Sequence, residues 1–341
     1  MSVLLVAAPL SARSGVYRST IDLVRAARAA GEDWSAVIGV RPGAGGTPTP
    51  EAGVTEFDIA ARGSALLSEL RQRLAAELDR VDTVITMVPQ SDVAVAGSRS
   101  AARHVAWVRG LPWPGPGEQR WTRSVFLRYL ETRALRHADA VWATSPLLAE
   151  QIRRSRRAEL VPAGIPLLHR TTDGRDVGPL VWAGRISPEK GAREFLDVVR
   201  STEAPAVLFG EGPLREALVP DAPESLTWKG WARPEDVWAT PGILLCTSHR
   251  DAFGRSPVEA ASAGMPVILS DQTGAAPFLY TEQELADRFI LPVGDTAAWS
   301  RAVRSLIEDE QLRVRVSDHV YANAQRLSIE ASFAAARSHL K

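Results

Sequence analysis

The chain has 341 residues, 45% of them hydrophobic, which is long for one domain and supplies apolar material for two cores. Lysine plus arginine and aspartate plus glutamate both number 40, so the formal net charge is zero; this argues against a nucleic-acid footprint and for small-molecule partners. The lone Cys246 excludes an intrachain disulfide and fits a reducing cytoplasm, and no run approaches the roughly 18 apolar residues that a membrane span requires.

The start, Met1 to Ala12, lacks the basic segment of a signal peptide and is expected to be a buried first strand. Further apolar or β-branched runs follow at Ala36 to Val40, Thr83 to Val88, His104 to Val108 and Ala140 to Ala143, with amphipathic stretches such as Ser19 to Ala30 and Ala65 to Leu78 between them. The Gly/Pro/Thr stretch Arg41 to Pro50 is expected to be a mobile loop. Arg153, Arg154, Arg156 and Arg157 form a basic cluster. It reads best as a solvated helix end, and it leaves peripheral contact with the inner membrane surface open.

After the polar segment Thr171 to Asp176, taken as a linker, the rhythm restarts. Strands are expected at Leu180 to Ala183, Ala206 to Phe209, Ile243 to Cys246 and Pro266 to Leu269, and helices at Gly191 to Arg200, Pro257 to Ala263 and Thr296 to Ile307. Alternation of this kind makes an α/β protein of two Rossmann-like domains facing each other across a cleft, with ligands outside the carboxyl ends of the strands. The domains are expected at 1–170 and 171–325, with the helical tail 326–341 crossing back to the first.

Three strand exits of the second half carry chemistry. Gly184 and Arg185 open a loop that continues to Lys190 and Gly191. The rigid fork of Arg185 and the point charge of Lys190 suit the two negative charges of a diphosphate. Lysine occurs elsewhere only at Lys229 and Lys341, so one inside a motif is less apt to be filler. Gly210-Glu211-Gly212-Pro213 brings backbone toward the same place, or is a simple turn. In the segment Asp251 to Pro266, Ser256 is expected to cap a helix with Pro257 at its first position and Glu259 in its first turn; Gly264 would end it. Amides around Gly254, Arg255 and Ser256 would then face an anion, and Glu259 could accept from a ribose diol. Alone, the segment also fits an ordinary helix with an acidic first turn.

Taken in order, the Gly-Arg-x-x-x-x-Lys-Gly loop, Gly210 to Pro213, Lys229-Gly230-Trp231 and the Asp251/Glu259 pair resemble the retaining nucleotide-sugar glycosyltransferases of family 4, which have the GT-B fold. The second half matches over nearly its whole length. The first half matches more loosely, through Ser14-Gly15-Val16, the entry Ala138-Asp139-Ala140-Val141 and Val161-Pro162-Ala163-Gly164. The resemblance implies a donor site in which Gly184, Arg185, Lys190, Gly210 and the backbone of Gly15 serve the diphosphate and Glu259 the ribose. Gly230 and Trp231 would lie near the base and Asp251 at hydroxyls of the transferred sugar, with Phe253, Gly254, Arg255 and Ser256 also counted among the donor-binding residues. Arg185, Lys190 and Asp251 are the residues it implies for catalysis, by front-face transfer with retention; Arg109 is added as the cleft residue because it stands at the carboxyl end of a first-half strand, where the family often has a histidine. No cofactor or metal is expected, and the chain has no Asp-x-Asp triplet.

Acceptor binding is expected in the first domain, from His104, Trp107, Arg109, Trp113 and Trp121; these tryptophans read equally well as core. The acceptor would be a sugar, a lipid-linked sugar or a natural product, in a cytoplasmic bacterial enzyme. The chain departs from the family at four points: aspartate at Asp251 where glutamate is usual, Ala163 where asparagine is usual, Arg109 near the usual place of a histidine, and only one of two customary glycines, Gly15, in the first loop. A non-catalytic sugar-nucleotide-binding partner subunit and a GT-B epimerase are the alternatives. A dinucleotide oxidoreductase is disfavoured because Pro9 to Ser19 holds no Gly-x-Gly-x-x-Gly.

Overall fold

The computed structural model describes residues 1–13, 15–110 and 121–340. These form two compact units, one of Met1–Gly164 with Ile329–Lys341 and one of Ile165–Ser328.

In the first unit the described elements run β1 (Val3–Ala12), α1 (Val16–Ala29), β2 (Trp34–Gly45), β3 (Val54–Asp58), α2 (Gly63–Leu78), β4 (Thr83–Thr86), α3 (Pro89–Ala96), β5 (Arg103–Val108), α4 (Trp121–His137), β6 (Ala140–Ala143), α5 (Pro146–Ile152) and β7 (Glu159–Leu160). The strands make one parallel sheet in the order β3-β2-β1-β4-β5-β6-β7. Alternate residues of β1 serve opposite faces. Val3, Leu5 and Ala7 pack with Tyr17, Ile21 and Val24 of α1, whereas Leu4 and Val6 pack with Leu74 and Leu78 of α2. A strand buried on both sides reads as a continuous apolar run rather than an alternating one.

The second unit continues with β8 (Leu180–Ala183), α6 (Ala192–Thr202), β9 (Ala206–Phe209), α7 (Arg215–Leu218), β10 (Leu226–Gly230), α8 (Pro234–Val237), β11 (Ile243–Cys246), α9 (Arg255–Ser262), β12 (Val267–Ser270), α10 (Ala276–Leu279), α11 (Gln283–Phe289), β13 (Ile290–Leu291), α12 (Thr296–Glu308) and α13 (Glu310–Ala324). Its parallel sheet has the order β10-β9-β8-β11-β12-β13. Asp295 and Asp309 cap α12 and α13 by accepting from the amides of Ala298 and Leu312 at 3.0 and 2.9 Å. The final helix, α14 (Ile329–Leu340), belongs to the first unit, where Phe333 meets the Trp34 ring edge-on at 5.2 Å.

Two local expectations change. The units divide at Gly164/Ile165, because Thr171 to Asp176 is held on the second unit rather than free. The Thr171 amide and hydroxyl donate to the carbonyls of Ala263 and Trp238, and Arg313 donates to those of Gly174 and Arg175. The stretch Arg41 to Pro50 is in part strand, since β2 extends to Gly45, and Arg41 donates to the carbonyls of Ile59 and Ala61.

Where α3 meets α4, two carboxyls are enclosed without a cation among the described residues. Asp92 and Glu131 are each 2% exposed, and Asp92 Oδ1 and both Glu131 oxygens receive no donor. Burial lifts Asp92 to about 6, against hydrogen bonding from Thr86 and from Glu131 that pulls it down. Burial, and then the charge and hydrogen bond of Asp92, lift Glu131 well above the ordinary carboxyl range. Two carboxylates in contact cannot both ionise in such a place, so the pair holds a proton.

Candidate active site at the switch point of the second sheet

Strand order in the second sheet reverses between β8 and β11, and the crevice outside the carboxyl ends at such a point is where α/β folds take ligands. Each strand exit contributes a different group there. After β8 the chain passes Gly184 and Arg185 and makes a single 3-10 turn at Pro188–Lys190 before α6. Ser187 supports that turn, donating its hydroxyl to Glu189 at 2.6 Å, and the Glu189 carbonyl accepts from the amides of His249 and Arg250. The loop after β11 is thereby tied to the loop after β8.

Gly191 makes the tie close. Its φ is 68°, and a Cβ there would stand 1.9 Å from the Thr247 carbonyl oxygen. The Thr247 hydroxyl donates to the Gly191 carbonyl at 2.6 Å and accepts from Trp182 Nε1 at 3.2 Å. Gly191→Ala is therefore expected to cost about 3 kcal/mol or more through left-handed strain and collision with backbone; an unchanged thermal transition would contradict this close approach. Gly210, at φ 132°, joins the third exit: its amide donates to Gly230 O at 2.7 Å, and a Cβ would lie 1.8 Å from Gly184 O.

On this frame Lys190 Nζ lies 2.6 Å from Asp251 Oδ2, with the two side chains 28% and 15% exposed. Burial alone would depress the lysine; the charge and hydrogen bond of Asp251 outweigh it, so the Lys190 pKa stands above its ordinary 10.5. The amide of Asp251 donates to Gln272 O and its carbonyl accepts from Gly274, which fixes the carboxylate from the β12 side. Arg185 is exposed and makes no side-chain hydrogen bond or ion pair among the described residues. Its guanidinium is therefore free for an anion.

Gly254, at φ 90°, is the residue before α9 and offers no side chain to cap it. The expected start at Ser256 is thus corrected. Left-handed Gly254 turns the chain into the helix early, Arg255 takes its first position, and Pro257 falls third, where a missing N–H is still harmless. Glu259 consequently lies in the second turn rather than the first. Its oxygens are 3.5 Å from Arg255 Nε and 3.4 Å from Trp238 Nε1, contacts long enough to orient it while leaving acceptor capacity. Gly264, at φ 87°, ends the helix as expected.

The structure thus brings together Gly184, Lys190, Asp251 and Ser256 around one recess, which Trp182 and Cys246 also line. Gly210, Gly230 and the 68% exposed Trp231 follow at the neighbouring exits, while the Phe253 side chain is buried and can offer only backbone. Trp182, Thr247 and Trp238 were not expected. Each is an isolated polar or aromatic residue beside a strand or helix end, and nothing in its sequence surroundings marks it.

In the first unit, Gly15 precedes α1 at φ 51°. Arg109 follows the carboxyl end of β5, 8% exposed, with its guanidinium 4.4 Å from the Trp107 ring centre. His104, near the start of β5, is buried; its Nε2 meets the Thr86 hydroxyl at 2.9 Å, and burial pushes its pKa down to about 4 despite the charge of Asp139. Trp107 is core: 1% exposed, donating Nε1 to Val161 O and meeting Trp142 edge-on. Neither His104 nor Trp107 presents a face to an acceptor, because β5 is an inner strand covered on both sides. Trp113 and the side chain of Trp121 lie outside the described residues.

Two consecutive doubly wound sheets, with cations and carboxylates at the second switch point, define a GT-B fold. Two family models match in succession, "Glycosyl transferase 4-like domain" over residues 14–164 and "Glycosyl transferases group 1" over 179–322. The chain belongs to the family 4 type of GT-B glycosyltransferases. Over its whole length it superposes on sucrose-phosphate synthase from Thermosynechococcus elongatus, with a TM-score of 0.81 at 19% identity and 98% of that chain covered. With Anabaena HepE in complex with UDP the TM-score is 0.76 at 18% identity, covering 100% of this chain and 99% of that one. Among curated relatives, the D-rhamnosyltransferase WbpZ of Pseudomonas aeruginosa is 26% identical over 59% of this chain and 58% of its own length. The 2-deoxystreptamine N-acetyl-D-glucosaminyltransferase of Streptomyces fradiae is 26% identical over 51% of this chain and 41% of its own. The chain thus spans about half the length of these two relatives.

Proposed function

We propose that this glycosyltransferase moves a sugar from a nucleoside-diphosphate donor to an acceptor hydroxyl with retention and without a metal. The observation that carries the reading is the meeting of Lys190 and Asp251 around one recess at the switch point, with the exposed Arg185 on the same loop as Lys190 and Glu259 on the helix that follows Asp251. Arg185 and Lys190 hold the donor diphosphate and stabilise the charge that collects on it as the bond to the sugar breaks. Glu259 accepts from the ribose diol, and the Asp251 carboxylate from hydroxyls of the transferred sugar. The acceptor oxygen bonds to the anomeric carbon on the face the diphosphate leaves, and its proton passes to the departing phosphate oxygen. Two tethered cations do the work a divalent ion would otherwise do.

The acceptor is a sugar, a lipid-linked sugar or a glycosylated natural product, in a bacterial cytoplasmic pathway that builds glycans. A relative named for 2-deoxystreptamine supports a cyclitol or sugar-like acceptor, and one named D-rhamnosyltransferase supports transfer of a hexosyl group. Incubation with a panel of sugar nucleotides is expected to release nucleoside diphosphate slowly by transfer to water, undiminished in excess EDTA, with the sugar freed initially as the donor's anomer. Tight donor binding without any release would instead mark a non-catalytic binding subunit, and loss of turnover in EDTA would remove the metal-free assignment.

A further inference from the structure

Helix α4 buries one face and exposes the wrong kind of residue on the other. Its inner face seats Glu131, Ala134 and Leu135 in the first unit, yet Val125, Phe126 and Tyr129 are 59%, 59% and 61% exposed. At a helical period of 3.6 these three share the outward face, and Arg133 and Arg136 continue the same face one to two turns further on. Arg123 and Arg128 flank it. The only acidic residue of α4 is Glu131, and it is buried. The basic cluster of residues 153–157 adjoins the end of this helix, because Arg156 donates to the carbonyls of Arg136 and Asp139 and Arg136 to that of Ser155. In a chain with zero net charge, this is a local excess.

We propose that the outward face of α4, with the adjoining arginines, docks the protein on an anionic lipid bilayer. An exposed aliphatic and two aromatic side chains ringed by arginines match the interfacial zone of a membrane, where the apolar groups enter the acyl boundary and the guanidinium groups remain among the phosphates. No described helix is long and apolar enough to cross a membrane, so the attachment is peripheral. A second copy is a poorer occupant, since a two-fold contact through this face would set arginine against arginine. The residues involved lie on a different unit from Arg185, Lys190, Asp251 and Glu259, so docking and the chemistry at those residues are separable.

The test is co-sedimentation of the full chain with vesicles of phosphatidylglycerol and phosphatidylcholine mixed one to three, against vesicles of phosphatidylcholine alone. Binding is expected to the mixed vesicles and to be at least tenfold weaker to the zwitterionic ones. Phe126→Asp with Tyr129→Asp should weaken it more than tenfold, and Arg123→Glu with Arg133→Glu should abolish the preference for anionic lipid. All four residues are exposed, and nucleoside-diphosphate release from a soluble donor should be unchanged in both variants. The proposal is overturned if neither vesicle binds, if the variants bind as the parent does, or if the aromatic substitutions convert a dimer to a monomer or remove oligonucleotide binding instead. Failure here leaves the donor assay intact, and failure of that assay leaves vesicle binding intact.

Discussion

Lys190→Ala is expected to weaken binding of a nucleoside diphosphate by ten- to a hundredfold, the largest single-residue effect at the site. The lysine sits in a partly dry recess, and a charge-assisted hydrogen bond to phosphate in such a place contributes about 1.5–3 kcal/mol. Removal also strands Asp251, whose only ion-pair partner among the described residues is Lys190. The companion Arg185→Ala should weaken binding less, because that guanidinium is exposed and its attraction is screened by salt. Lys190→Arg should not rescue, because a planar fork does not reproduce the compact ammonium that meets Asp251 Oδ2 at 2.6 Å. Calorimetric titration with a panel of nucleoside diphosphates decides the matter, and an unchanged affinity for Lys190→Ala would remove this residue from the site.

The second large effect concerns stability and pH. Burial pushes Asp92 up to about 6 from an ordinary 3.8, and Glu131 is pushed well up in the same direction. The folded state therefore binds more protons than the unfolded one. Stability associated with the pair is fully present below the unfolded values, and it declines as pH rises through about 6 and onward to the higher value of Glu131. Glu131→Gln keeps a donor against Asp92 at every pH, so its stability curve between pH 5 and 8 should be flatter and lie about 2 to 3 kcal/mol above that of the parent at the alkaline end. Urea denaturation across that range is the measurement; parallel curves for the two proteins would show that no proton is held between α3 and α4.

Much of this architecture can be read from residue order. The core strands announce themselves because both faces of each sheet are covered, so runs such as Ile243 to Cys246 are apolar without interruption. The edge strand Val54–Asp58 escapes the same reading, since its residues are half-buried or exposed and it alternates Val, Thr, Glu and Phe. The loops at the strand exits of the second sheet are legible through their glycines, which mark where backbones must touch. What the glycines touch is not legible. The Lys190 to Asp251 contact depends on Glu189 and Thr247 tying two strand exits, and those ties join residues far apart in the chain through main-chain atoms. Helix α9 begins early for a similarly local reason: a glycine with positive φ outweighs the preference of serine for the cap. Trp107 shows the remaining blind spot, because an aromatic residue near the carboxyl end of an inner strand has the same sequence surroundings whether its ring faces core or ligand.

The Lys190 to Asp251 ion pair also bears on which ligand leaves and which stays. A bare diphosphate that draws the ammonium toward itself takes from Asp251 its counter-charge and offers nothing in exchange. An intact sugar nucleotide can supply both halves, phosphate oxygens to the lysine and hydroxyl protons to the aspartate. On the proposed function, this ion pair is a two-key lock that weights the site toward whole donor and against spent diphosphate, so that product inhibition is expected to be weakened by the same contact that meets the substrate.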